Sequence, residues 1–196
     1  VDENVTYHKD LVSLAEYLGL RTSTAKNIIS ALKINTGVEV VFLLSVPSQL
    51  KAMLLNTAKL LVYTPSDEHF GIVPLEAMLA GVPVLAANSG GPLETVVDGE
   101  TGWLRPVDKV AQWTEVMHQV LYEMPNEYLV SMGGKGTRRV KEEFSRTKMA
   151  SRLNEEIETL MNSSRRSTSK IADILMGLAV FGAVLIAIVA VMVYSQ

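Results

Sequence analysis

Two carboxylates, Glu68 and Glu76, bracket the run Ser66-Asp-Glu-His-Phe-Gly-Ile-Val-Pro-Leu-Glu76. The first is expected in a loop and the second in the first turn of the helix that follows. An ionised carboxylate accepts two hydrogen bonds from a vicinal diol, while the free amides and dipole of a helix N-terminus hold a phosphate. An acid on either side of an anion cradle therefore suits a sugar nucleotide, whose ribose and sugar flank a diphosphate. For paired acids taken alone there is a simpler account, in which Glu76 caps a helix and Glu68 is a solvated loop acid. A second loop, Asn88-Ser-Gly-Gly-Pro-Leu-Glu94, strengthens the ligand reading, because Gly90 and Gly91 let a phosphate or sugar approach the backbone closely. Ser89 and Pro92 belong to the same turn. His69 either touches the ligand or packs beside Phe70.

The elements that must position these loops can be read from apolar runs and breakers. Residues 38–44 and 60–63 are short apolar strands, the first read as buried on both faces, and 82–87 is a third. Helices are expected over 48–58 after Pro47, over 74–79 ending at Gly81, and over 90–97. Strand and helix alternate with connections too long for hairpins, so the class is α/β, a Rossmann-like parallel sheet with helices on both faces. Ligands in such sheets bind beyond the carboxyl ends of the strands, where both loops lie. An amphipathic helix is expected over 5–19, a loop-rich segment with a helix-like stretch at 25–32 over 21–37, and further helices over 108–123, opened by an Asp108 cap, 126–144 and 145–163. Trp103 and Trp113 are expected to pack these helices on the sheet, with His8 and His118 at the surface.

The 196 residues contain no cysteine, which excludes a disulfide framework, a thiolate nucleophile and cysteine-held metal. A net charge of −3 with scattered basic residues leaves no footprint for nucleic acid. The sequence opens at Val1 without Met or a signal-peptide pattern and reads as a fragment. From Ile174 to Tyr194 no residue is charged, the length that spans a bilayer as a helix, so residues 171–194 are read as a transmembrane anchor and 164–170 as a juxtamembrane linker. Arg165, Arg166 and Lys170 before the span keep the preceding residues, 1–163, in the cytosol. Lys135, Arg138, Arg139 and Lys141 form a solvated basic face, or one drawn to anionic lipid.

The spacing of Glu68 and Glu76 around Phe70-Gly71, with Gly81-Val-Pro-Val and Ser89-Gly-Gly-Pro-Leu-Glu94, resembles the donor-binding, carboxy-terminal half of the retaining GT-B glycosyltransferases. Within them, residues 63–78 and 88–94 resemble the dolichol-pathway α-1,3/α-1,6-mannosyltransferases of glycosyltransferase family 4. The resemblance implies that Glu76 binds the ribose of GDP-mannose and Glu68 the mannose. It brings the amides of Phe70, Gly71 and Ile72, with Val73 beside them, toward the diphosphate or sugar, and lines the pocket with Ser89–Pro92. It implies a dolichol-linked oligosaccharide acceptor at the endoplasmic reticulum membrane, transfer without a metal or other cofactor, and other dolichol-pathway glycosyltransferases as neighbours. The family's diphosphate-neutralising Arg and Lys precede the matched region, and neither Lys9, Arg21 nor Lys26 takes their place. With the acceptor domain also outside the sequence, the chain by itself is expected to be inactive. The rival readings are a related GT-B enzyme with another donor or acceptor, and a tail-anchored scaffold without catalysis.

Overall fold

The computed structural model describes the backbone of residues 2–27, 30 and 34–194, and the side chains of 4–27, 30, 34–163 and 173–183. The chain forms two compact units, Val1–Val140 and Lys141–Gln196.

The first unit opens with α1 (Asp2–Tyr17), closed by Gly19 at φ +78, the left-handed cap that glycine adopts without a Cβ penalty. Its expected apolar face is left open, since Val5, Leu14 and Leu18 are exposed and Ala15 alone is buried among its described apolar residues. A strand, β1 (Thr22–Ala25), then pairs in parallel with β2 (Val40–Leu43). This corrects the loop reading of 21–37. The signal was the β-branched Thr22 and Thr24, and four residues are too few for a period to emerge. Part of the helix-like stretch at 25–32 lies outside the described residues, but Ala25 belongs to the strand. The reading of β2 as buried on both faces is also corrected. Among the described residues it pairs only with β1, and Val41 is exposed.

After α2 (Ser48–Thr57), with Pro47 as its extended N-cap, come β3 (Leu61–Tyr63), α3 (Ile72–Leu79), β4 (Val84–Ala87), α4 (Pro92–Thr95) and β5 (Gly102–Arg105). β5 was not read from the sequence as a strand, because Gly102 and Arg105 leave only two apolar residues in it. Strands β3, β4 and β5 form a parallel sheet in that order, with β4 at its centre and buried along its whole length. The class is α/β with parallel strands as expected, but the strands make two sheets rather than one.

Helix α5 (Val110–His118) continues into a π-helical turn (Gln119–Glu123), and α6 (Asn126–Glu143) follows. Lys109, not Asp108, is the N-cap of α5, and no side chain caps that end. Leu85, Trp103, Trp113, Val116, Val120, Leu129 and Met132 form one core, each larger side chain contributing roughly 1.5–3 kcal/mol by burial. Both tryptophans are therefore packing residues, and the Trp113 indole donates to the Pro106 carbonyl at 2.9 Å. Gly133 lets α6 approach the turn after α3, where a Cβ would lie 1.9 Å from the Gly81 carbonyl oxygen.

In the second unit, Ser145 accepts from the Lys148 amide at 3.2 Å and caps α7 (Arg146–Tyr194), a single helix of 49 residues. The expected end at 163 and the polar linker at 164–170 do not interrupt it, since no glycine or proline occurs between Arg146 and Met176. Among the described residues no helix is long and apolar enough to cross a membrane. The side chains of 164–172 and 184–194, which carry Arg165, Arg166, Lys170 and much of the expected anchor, lie outside them.

Candidate functional site

Strand β3 ends at Tyr63, and Thr64-Pro65 leads its chain into the loop that enters α3 at Gly71. Gly71 is the N-cap at φ +76, and a Cβ there would meet its neighbours at an ordinary 3.5 Å. Glycine is needed at this position for backbone conformation, not for space.

Glu68 is held at both ends. Its carbonyl accepts from the Gly91 amide at 2.8 Å, and its Oε2 accepts from the Tyr63 hydroxyl at 2.8 Å. The Tyr63 hydrogen bond is the main reason the Glu68 carboxyl lies below the usual range, followed by the Phe70 amide, with smaller contributions from those of Gly71 and His69 and some opposition from burial. In return, burial first and the acceptor carboxylate second push the Tyr63 phenol up to about 12. The amides of Phe70 and Gly71, expected to face a donor phosphate, thus face the Glu68 carboxylate, while Ile72 and Val73 stand exposed in the first turn of α3. His69 and Phe70 are exposed on the loop.

The second loop is packed against the first. Ser89 Oγ donates to the Ser66 carbonyl. A Cβ on Gly90 would lie 2.3 Å from the Glu68 carbonyl oxygen, and one on Gly91 would lie 2.3 Å from the Phe70 carbonyl group. The Cβ positions of these glycines are therefore taken by the backbone of Glu68 and Phe70, so the packing of the two loops by itself requires glycine there. Gly91 and Pro92 are buried, whereas Ser89 is half-buried and Gly90 exposed.

Glu76 lies in the second turn of α3 rather than the first, since the helix begins at Ile72. It does not cap the helix: the N-cap makes no side-chain hydrogen bond. Its Oε1 is 2.6 Å from Lys51 Nζ, and its Oε2 is buried without a hydrogen-bond partner. Both side chains line a cleft of about 310 Å³ between α2 and α3, with Ser48, Leu55, Asn56 and Leu79. Sequence reasoning missed Lys51. Its signal was a cation in the first turn of the helix that follows β2, the end of a strand–helix unit where ligands bind. A second cleft, of about 290 Å³, beside β3 and α5 is lined by Val62, Thr64, Val107, Val110, Trp113 and Met117 and carries no acid or base.

Elsewhere several ionisable side chains have structural partners. His8 shares a hydrogen bond of 3.0 Å with Thr24 and sets its edge on Phe42, and His118 pairs with Glu123 at 3.1 Å. Arg139, read as part of a solvated basic face, instead donates to the carbonyls of Thr95 at 3.0 Å and Glu94 at 2.8 Å, closing the end of α4. Among the described residues no group of three His, Cys, Asp or Glu is placed to hold a metal ion.

Residues 19–139 match the family described as glycosyl transferases group 1. A Neurospora crassa protein named alpha-1,3/1,6-mannosyltransferase alg-2 is 62% identical over 162 residues, which cover 82% of this chain and 34% of that relative. A Schizosaccharomyces pombe protein of the corresponding name, alg2, is 44% identical over 160 residues, covering 80% of this chain and 31% of that relative. The chain thus spans about a third of the length of these curated relatives. Among solved structures, Anabaena HepE in complex with UDP and glucose superposes with a TM-score of 0.61 at 20% identity, over 81% of this chain and 38% of that one. The C-terminal domain of the group 1 glycosyl transferase LpcC from Francisella tularensis gives a TM-score of 0.56 at 16% identity, over 74% of this chain and 66% of that one. At these identities the structures speak for the α/β glycosyltransferase fold alone.

Proposed function

Because the chain belongs to the glycosyl transferases group 1 family, we propose that it is the donor-binding part of a GDP-mannose-dependent mannosyltransferase that adds α-1,3 and α-1,6 mannose to a dolichol-diphosphate-linked oligosaccharide. The observation that carries the donor site is the Glu76 carboxylate, with one oxygen paired to Lys51 and the other buried, unpaired and beside a cleft. A buried acceptor without a donor is costly, and a ribose hydroxyl supplies that donor. In this reading Glu68 holds hydroxyls of the mannose, and Ser89 and Gly90 border the same pocket from the second loop.

In the transfer, the bond between the anomeric carbon and the diphosphate oxygen breaks and a bond to the acceptor hydroxyl forms on the same face. The leaving phosphate takes the acceptor proton, so no protein base is required. Basic side chains and a helix end neutralise the leaving group in place of a metal. The fold that goes with this is the carboxy-terminal half of a GT-B enzyme. Its anchor is the stretch at 171–194, uncharged from Ile174 onward, which holds it at the cytosolic face of the endoplasmic reticulum membrane, and its neighbours include other enzymes of the dolichol pathway.

Donor competition tests the proposal on the protein expressed from its complete coding sequence. GDP-mannose is expected to bind and to be displaced by GDP but not by UDP-sugars, and preferential displacement by UDP-glucose would assign another donor. Glu68→Ala and Glu76→Ala are expected to abolish mannose transfer, and full transfer by both would favour a scaffold. Transfer is expected to survive EDTA. Deletion of residues 171–194 is expected to release the protein from membranes, and retention there would remove the anchor from the proposal.

A further inference from the structure

A glutamate side chain has three free torsions, and one that must meet a sugar hydroxyl loses them on binding unless it is already held. Glu68 is already held, and the residue that holds its far end comes from a different element. Tyr63 is the last residue of β3, paired in register with Ala86 of the buried central strand β4. Its phenol is stiff, half-buried and rooted in the sheet, and its hydroxyl has one proton, which it gives to Glu68 Oε2 at 2.8 Å. The Glu68 backbone is pinned independently by the Gly91 amide. The backbone is thus fixed from the N-cap of α4 and the carboxylate from the end of β3, with the Phe70 and Gly71 amides also facing a carboxylate that has about four acceptor positions in all.

We propose that Tyr63 is a positioning residue that orients the Glu68 carboxylate toward the transferred sugar, so that it governs how tightly the sugar part of the donor is held without touching the nucleotide part. The inference rests on the donor reading above, in which Glu68 meets the sugar and Glu76 the ribose. The lowered acidity range of Glu68 has the same origin and gives the arrangement a second readout, because losing the hydroxyl raises the pH at which the carboxylate is lost.

The test is made on the protein expressed from its complete coding sequence, by titrating GDP and GDP-mannose binding across the acid range. Tyr63→Phe keeps the ring and its packing. It is expected to leave GDP affinity unchanged, to weaken GDP-mannose roughly tenfold, the size of one hydrogen bond to a charged group, and to move the acid limb of GDP-mannose binding to higher pH. Glu68→Gln is expected to weaken GDP-mannose selectively as well, and the double variant to be no weaker than Glu68→Gln alone. If Tyr63→Phe weakens both ligands alike, Tyr63 is only a packing residue and the inference fails. If Glu68→Gln lowers the preference for GDP-mannose over GDP and Tyr63→Phe does not, the inference falls and the donor reading stands. Should neither variant change that preference, the assignment of Glu68 to the sugar falls and the inference goes with it.

Discussion

The ammonium of Lys51 stands 2.6 Å from Oε1 of Glu76, joining the first turn of α2 to the second turn of α3 across the mouth of a cleft. Neither side chain is fully buried, at 40% and 33% exposed, so solvent screens the pair and its net contribution to stability is about 1 kcal/mol at most. Its larger consequence is orientational. Lys51 occupies one oxygen of Glu76 and leaves the other buried without a hydrogen-bond partner, the acceptor that the proposed donor site assigns to the ribose.

Lys51→Met is therefore expected to cost little in thermal stability but to weaken nucleotide binding. Two effects act in the same direction: Glu76 loses its orientation, and the site loses a positive charge that favours a diphosphate. Isothermal titration should show GDP and GDP-mannose weakened to the same degree, roughly five- to tenfold, the range of a partly exposed charge-assisted hydrogen bond. Unchanged GDP affinity would remove Lys51 from the site.

Burial of Tyr63 and its hydrogen bond with Glu68 make stability depend on pH at both extremes. The Tyr63 phenol is raised from an ordinary value near 10 to about 12, so its contribution is complete below pH 10 and is lost as pH rises through about 12. The Glu68 carboxyl is lowered, so its contribution is present above the ordinary carboxylate value and is lost as pH falls through its lower folded value. Tyr63 is expected to ionise late in an absorbance titration. Tyr63→Phe should remove that late step together with its part of the alkaline loss of stability. A late step that persists in the variant belongs to another tyrosine.

Gly91 and Gly71 are required for different reasons, and substitutions separate them. At φ −55 Gly91 has a backbone that any residue adopts, but a Cβ would collide with the Phe70 carbonyl group at 2.3 Å. At Gly71 a Cβ would make only ordinary contacts, at 3.5 Å, but the conformation is left-handed. Gly91→Ala is expected to destabilise by about 1–3 kcal/mol through overpacking, and Gly91→Asn by no less. Gly71→Ala is expected to cost about 1–2 kcal/mol, part of it recovered by Gly71→Asn, since asparagine tolerates that conformation. Melting temperatures of the four variants decide the matter, and equal recovery by asparagine at both sites would contradict the steric account.

The strands that could be read from the sequence were those with continuous apolar character, at 38–44, 60–63 and 82–87. β1 and β5 escaped because neither has a continuous apolar run: threonine or serine fills three of the four positions of β1, and glycine and arginine end β5. Their strand state comes from pairing with β2 and β4, a property of neighbours and not of the segment. The helix following residue 163 shows the converse: polar residues read as a linker continue a helix, because nothing in them breaks one.

Sequence alone marked where the candidate site is expected. Two acids around a glycine at a helix entry, followed by a second glycine turn, sufficed to mark Glu68, Gly71 and Glu76, because spacing along the chain decides which residues share a loop and a helix entry. Which partner each acid takes was decided only by the tertiary structure. Lys51 and Tyr63 reach Glu76 and Glu68 through the packing of α2 on α3 and the placement of β3, and hydrogen bonds of 2.6 and 2.8 Å depend on positions in space that no spacing encodes. The same holds for Gly90 and Gly91: their presence is legible, but only the fold shows that the room they leave is taken by the backbone of the neighbouring loop.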